Sequence, residues 1–128
     1  MIENDTLIKA AAEAMQFAYA PYSNFKVGAA LITKEGKVYT GCNIENASYG
    51  ATICAERTAI AKAVSEGIYD FDKIAIVCSS DEPALPCGIC LQVLNEFMPE
   101  AEVIVSNHGE VMVYKVSELL PYAFRLDL

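Results

Sequence analysis

Two short motifs constrain this chain more than any other feature: Cys54-Ala55-Glu56 and Pro86-Cys87-Gly88-Ile89-Cys90. Each opens a helical pattern and follows an irregular stretch, Ser48 to Ile53 before the first and Ser79 to Pro86 before the second. In α/β sheets, ligands collect where strand ends meet such helix starts. The motifs supply three thiolate candidates and one carboxylate. Three protein ligands leave a fourth tetrahedral position for water, the arrangement of a catalytic zinc and not of a closed structural site. Glu56 lies two positions beyond Cys54, so its side chain can point past a metal toward that open position without ligating it, as a proton shuttle does. Alone, a CxxC at a helix start reads equally as a redox pair or as half of a four-cysteine structural site; the joint pattern is what favours catalysis. The chain has five cysteines, an odd set, and a disulfide scaffold would spread more cysteines through a smaller chain. Cys42 and Cys78, at strand ends, read as small core residues.

The surrounding pattern is that of an α/β protein. Asp5 to Ala20 carries Leu7, Ile8, Ala11, Ala14, Met15 and Ala18 at helical spacing and stops before Pro21. Phe25 to Thr33 and Lys37 to Cys42 are β-rich runs joined by Lys34-Glu35-Gly36, which predicts a hairpin. Thr52 to Gly67 predicts a helix ended by glycine, and Lys73 to Cys78 a strand buried on both faces. Pro86 to Phe97 predicts another long helix closed by Pro99. Glu102 to Ser106 and Glu110 to Tyr114 are two last strands, and Asn107-His108-Gly109 between them is too short for a parallel crossover. His108 is therefore an exposed turn residue. The expected architecture is three-layer α/β/α, a mixed five-stranded sheet with helices on both faces and the last two strands antiparallel. No repeat, low-complexity tract or linker divides the chain, so residues 1–128 read as one domain.

Charge narrows the partners. Acidic residues outnumber basic ones 17 to 9, giving −8 and a pI near 4.5, the wrong sign for neutralising phosphates. Nucleic acid and anionic membranes are excluded as expected partners. The hydrophobic fraction is 54% and the mean hydropathy +0.28, yet the apolar runs are short and interrupted, far below the roughly 20 residues of a membrane span. High apolarity without a span points to surface buried between subunits. The start, MIENDTLIKAAAEAM, lacks the basic and continuous apolar regions of a secretory signal, so the expected location is the cytoplasm.

Residues 21–33, 41–60 and 86–97, PYSNFKVGAALIT, GCNIENASYGATICAERTAI and PCGICLQVLNEF, resemble the small homotetrameric zinc-dependent cytidine deaminases. LLPYAF near the C-terminus completes the series in order, and Cys-x-Glu followed by Pro-Cys-x-x-Cys matches the zinc-deaminase signature. The resemblance implies the cytidine-deaminase-like fold, one zinc per subunit on Cys54, Cys87 and Cys90, and catalysis by Glu56. It implies substrate contacts from Phe25, Asn43, Glu45 and Ala55, with Asn43 and Glu45 on the ribose hydroxyls and Phe25 against the pyrimidine. Tyr49 and Phe124 match positions that reach toward a neighbouring subunit's site, which implies a homotetramer with shared active sites. Read from pattern alone, Phe25 is as readily ordinary core, Asn43 a turn residue, Glu45 a solvated acid, and Tyr49 and Phe124 interface or core aromatics.

The implied reaction is hydrolysis of the C4 amine of cytidine and deoxycytidine in pyrimidine salvage. Glu56 would take a proton from the attacking water, deliver it to ring N3, and then protonate the departing amine. Three thiolates give a metal a formal −1 environment and weaken it as a Lewis acid, so positive compensation is expected nearby. The two helix starts provide some, and Arg57 is the available full cation. Many relatives also carry arginine directly after the second CxxC cysteine, where this chain has Leu91, so compensation is expected to rest more on Arg57. Tyr122 likewise stands where LLPGAF has a small residue. Two alternatives remain at this stage: a related zinc deaminase acting on a modified cytosine nucleoside, and a non-catalytic zinc module, which would need a fourth ligand and leave Glu56 without a purpose.

Overall fold

Alternation along residues 27–33 decides the architecture. Val27, Ala29 and Leu31 turn into one apolar cluster while Ala30 and Ile32 turn into another, so this strand is buried on both faces. The computed structural model describes residues 2–126. It forms a five-stranded sheet of β1 (Val27–Thr33), β2 (Val38–Cys42), β3 (Phe71–Cys78), β4 (Glu102–Asn107) and β5 (Glu110–Lys115). Their order across the sheet is β2-β1-β3-β4-β5. β1 is antiparallel to both neighbours, β3 and β4 run parallel, and β5 returns antiparallel to β4. The predicted mixed sheet with an antiparallel final pair is therefore present.

Helices cover both faces unequally. α1 (Asn4–Met15) alone lies on one side, where Leu7 and Ala11 pack with Ala30, Ile32, Ala75 and Ile104. α2 (Ala55–Val64), α3 (Gly88–Phe97) and the short α4 (Val116–Leu119) lie on the other, around the larger cluster that contains Ile60, Leu94 and Val116. Ile76, fully buried on the central strand, faces that cluster, and truncating it to alanine would cost about 2–5 kcal/mol. Among the described residues no helix is long and apolar enough to cross a membrane.

Local chemistry explains the element ends. Gly67, at φ +85°, closes α2 by donating to Val64 O at 2.9 Å while Ile68 N–H reaches Ala63 O at 3.1 Å, a Schellman pair. The predicted last hairpin turns on His108 and Gly109, both at positive φ, the combination that matches the twist of paired strands. Of the boundaries that differ from the periodicity, four bear on the site. α1 stops at Met15 and not Ala20, because Tyr19 N–H donates to Asn43 O and Tyr19 O accepts from Glu45 N–H, drawing the chain into a bridge. α2 starts at Ala55 and not Thr52, because Ile53 and Ile44 exchange both backbone hydrogen bonds at 2.9 and 3.0 Å. β1 starts at Val27 and not Phe25, since Asn24 takes φ 59° just ahead of it. α3 starts after Cys87, which is extended at φ −71°, ψ 170°. These shifts leave Cys54 and Cys87 as the N-cap residues of their helices.

Candidate active site and metal centre

β2 and β3 are both antiparallel to β1, so both finish at the same end of the sheet, and the segment leading into α2 lies at the same end as the loop leading into α3. The N-termini of α2 and α3 converge there, and N-termini favour negative charge. The sulfurs of Cys54, Cys87 and Cys90 all lie within 4.8 Å of one another. A tetrahedral thiolate site with zinc–sulfur bonds near 2.3 Å needs sulfurs about 3.8 Å apart, so the donor set fits zinc with only small side-chain movement. Cys90 is fully buried, Cys54 half-buried, and Cys87 exposed.

The charge balance of this set is visible in its hydrogen bonds. A hydrogen bond with Cys90, then the Arg57 guanidinium, pulls the Cys54 thiol down to about 5 against the opposing effect of burial. That same shared proton, together with burial and the nearby Glu56, pushes the Cys90 thiol up. Arg57 Nη2 lies 3.7 Å from Cys54 Sγ and donates to Thr52 O at 3.2 Å. Its Nε is buried without a partner among the described residues, a spare donor beside the sulfurs. Leu91 is buried in the large core cluster, so no second cation comes from that position.

Glu56 sits in the first turn of α2, 5% exposed. Burial, reinforced by the Cys54 charge, pushes its carboxyl up to about 7. Desolvation is the larger cause, as expected where a carboxylate has lost water without gaining a strong partner. A cavity of about 340 Å³ opens over this floor of Cys54, Ala55, Glu56 and Cys87. Its walls include Phe25, Val27, Asn43 and Glu45, with Leu85 from the loop before α3. The volume is at the small-ligand end of the usual range.

Asn43 is buried and already engaged: Oδ1 accepts from Val27 N–H at 2.9 Å and Nδ2 donates to Phe25 O at 2.8 Å. One amide proton remains for a ligand. Glu45 Oε1 accepts from the backbone N–H of Tyr22 and Ser23 at 2.9 and 3.2 Å, and Oε2 accepts from the Ser23 hydroxyl. The Ser23 hydroxyl holds this carboxyl below its ordinary range. Ser23 and Thr52 line the cavity and were not singled out in the sequence, since neither has a periodic or metal-ligand signature.

Two predicted residues lie elsewhere. Tyr49 stacks edge-on to Tyr22 and lines an adjoining cavity of about 350 Å³ that shares Ser23, Glu45 and Thr52 with the first. Phe124 is exposed, held through its carbonyl by Gln92 Nε2 at 3.0 Å, and does not reach its own chain's cavity. Cys42 and Cys78 are half-buried, and His108 is in the exposed turn as predicted.

A family model described as the cytidine and deoxycytidylate deaminase zinc-binding region matches residues 1–111. The chain belongs to this family. It is accordingly a zinc-dependent deaminase, and the three-sulfur cluster is the group that can hold the zinc. It is 51% identical over 128 residues to a cytidine deaminase of Halalkalibacterium halodurans, covering 98% of this chain and 97% of that one. It is 32% identical over 126 residues to a blasticidin-S deaminase of Bacillus cereus, covering 92% and 89%. The crystal structure of a cytidine deaminase from Burkholderia pseudomallei superposes with a TM-score of 0.93 at 50% identity, covering 96% of this chain and all of that one. The fold is that of the cytidine deaminases.

Proposed function

We propose that this chain hydrolyses the exocyclic amine of cytidine and deoxycytidine, yielding uridine and deoxyuridine plus ammonia. The observation that carries the reading is a buried carboxyl, Glu56, on the floor of a ligand-sized cavity beside Cys54 and Cys87, whose sulfurs converge with that of Cys90. Zinc on Cys54, Cys87 and Cys90 supplies the Lewis acidity that makes water nucleophilic near neutral pH. Glu56 moves the protons: its carboxylate accepts one from the attacking water and donates it to ring N3, then takes the proton of the new C4 hydroxyl and delivers it to the departing amine, leaving the C4 carbonyl. Burial raises this carboxyl above the ordinary carboxylate range, which suits a group that must both accept and donate, and such acid–base work is worth about 10²–10⁴ in rate. Arg57 offsets the thiolate charge. Phe25 packs on the pyrimidine, Ala55 lines the floor beneath it, and the free Asn43 proton and Glu45 Oε2 take the ribose hydroxyls.

Charge selects the substrate class. Among the described residues no lysine, arginine or histidine lines either cavity, and Glu45 stands between them, so a 5′-phosphate would meet a carboxylate and no cation from this chain's described residues. Free nucleosides therefore fit and nucleotides do not. Residues 1–128 form one domain in this reading. The subunits assemble as a homotetramer, for which the exposed Tyr49, Ile89, Tyr122, Phe124 and Leu126 offer apolar surface, with Tyr49 and Phe124 completing neighbouring sites. Five free cysteines suit a reducing compartment, the cytoplasm.

An ultraviolet assay of the zinc-loaded protein on cytidine, deoxycytidine, cytosine, CMP and blasticidin S tests this. Turnover of the two nucleosides alone is expected. Preference for blasticidin S would replace the substrate assignment, and inactivity on all five would remove it.

A further inference from the structure

Two glycines face opposite helices across the sheet. A Cβ placed on Gly41, in β2, would come to 2.5 Å from Ala55 O, 2.6 Å from Ala59 N and 3.0 Å from Thr58 Cβ. These atoms belong to the first two turns of α2, the helix that carries Cys54 at its cap and Glu56 two residues on. Two of the three are backbone, so no rotamer change relieves the contact, and the helix itself must move. A Cβ on Gly28, in β1, would meet Ala11 O at 2.0 Å and Met15 N at 2.7 Å, both in α1, which carries no site residue.

We propose that Gly41 is a positioning residue for the active site: its missing side chain lets the first turn of α2 rest on β2, and that seat sets where Cys54 and Glu56 stand relative to Cys87 and Cys90. The inference rests on the three-cysteine zinc reading above. Cys87 and Cys90 ride on α3, which packs on the sheet elsewhere, so lifting α2 alone changes the geometry between the halves of the ligand set. Thr58 ties its hydroxyl to Cys54 O at 3.2 Å and its N–H to the same oxygen at 3.0 Å, so the cap residue moves with the turn. A tetrahedral thiolate site tolerates little of this, and displacing groups that orient metal ligands commonly lowers affinity about 10- to 100-fold. Misplacement of about 1 Å can itself lower turnover on the order of 10²-fold.

The test compares Gly41→Ala with Gly28→Ala. Zinc affinity is measured by competition with a chelator, the site's geometry by the cobalt(II)-thiolate absorption spectrum, and stability by thermal melting, with kcat and KM for cytidine beside them. Gly41→Ala is expected to lose about 10- to 100-fold in zinc affinity, to shift the cobalt spectrum, and to lower kcat more than it raises KM. Gly28→Ala is expected to melt at lower temperature with wild-type cobalt spectrum and zinc affinity. Equal zinc affinity in Gly41→Ala and wild type, or an equal loss in both variants, overturns the proposal. Should Gly41→Ala fail to accumulate, Ala59→Val thickens the buried side of α2 and must reproduce the zinc and cobalt changes; wild-type values there also overturn it. Wild-type protein that binds no zinc refutes the underlying metal reading instead.

Discussion

Replacing Asn43 with alanine separates its two roles. The side chain is 7% exposed and bridges two backbone groups at the entry to β1, Val27 N–H and Phe25 O. Alanine leaves both unpaired. A buried group left without its partner costs about 1–3 kcal/mol, and the Val27 bond is the more deeply buried of the two, so the summed loss is about 2–4 kcal/mol. Phe25 and Val27 also wall the cavity, and loosening their backbone should raise KM for cytidine beyond the loss of one ribose contact. Urea denaturation at fixed protein concentration reads the first effect, because any self-association would make apparent stability depend on concentration. Steady-state kinetics reads the second. A stability change under about 0.5 kcal/mol with KM unaltered would show that Asn43 is not a strut for the cavity wall.

Three further outcomes follow from the same geometry. Arg57→Ala removes the nearest cation from the Cys54 sulfur while Leu91 offers no replacement, so zinc affinity should fall about 10- to 100-fold in chelator competition; an unchanged affinity would leave the compensation to the helix termini. The Cys90 thiol is held protonated in the metal-free chain, so zinc uptake must release protons and tighten as pH rises; calorimetry in buffers of different ionisation enthalpy should show this, and buffer-independent heats would contradict it. If Phe124 completes a neighbour's site, Phe124→Ala and Glu56→Ala subunits should each be poor alone and recover activity when co-expressed; a monomer, or confirmed mixed oligomers without recovery, would end the shared-site reading.

Much of the molecule was legible because short-range pattern and long-range packing agree. The continuous apolar run within Lys73 to Cys78 announces a strand buried on both faces, and Asn107-His108-Gly109 announces the turn between the last two strands. The cysteine motifs were legible because ligand chemistry fixes spacing, and their sulfurs do converge. What local pattern missed depends on distant partners. Thr52 and Ile53 continue α2's periodicity, yet Ile53 is claimed by Ile44 across the site. Ala18 and Tyr19 continue α1's stripe, yet Tyr19 is claimed by the backbone of Asn43 and Glu45. The short α4 was not foreseen; Glu118 accepting from Lys115 N–H at 2.8 Å starts it, a one-turn signal too brief for periodicity. Ser23 was invisible for a similar reason, since its importance lies in the carboxylate it holds and not in its own neighbours.

The most direct measurement is turnover of cytidine by Glu56→Gln protein whose zinc content and fold match wild type. Glutamine keeps the size of the buried side chain and removes its ability to carry a proton. If Glu56 is the shuttle, zinc stoichiometry, melting behaviour and KM stay near wild type while kcat falls about 10²–10⁴-fold. Retention of more than about a tenth of wild-type kcat in the zinc-loaded variant would contradict the role assigned to Glu56, and with it the mechanism built on this site.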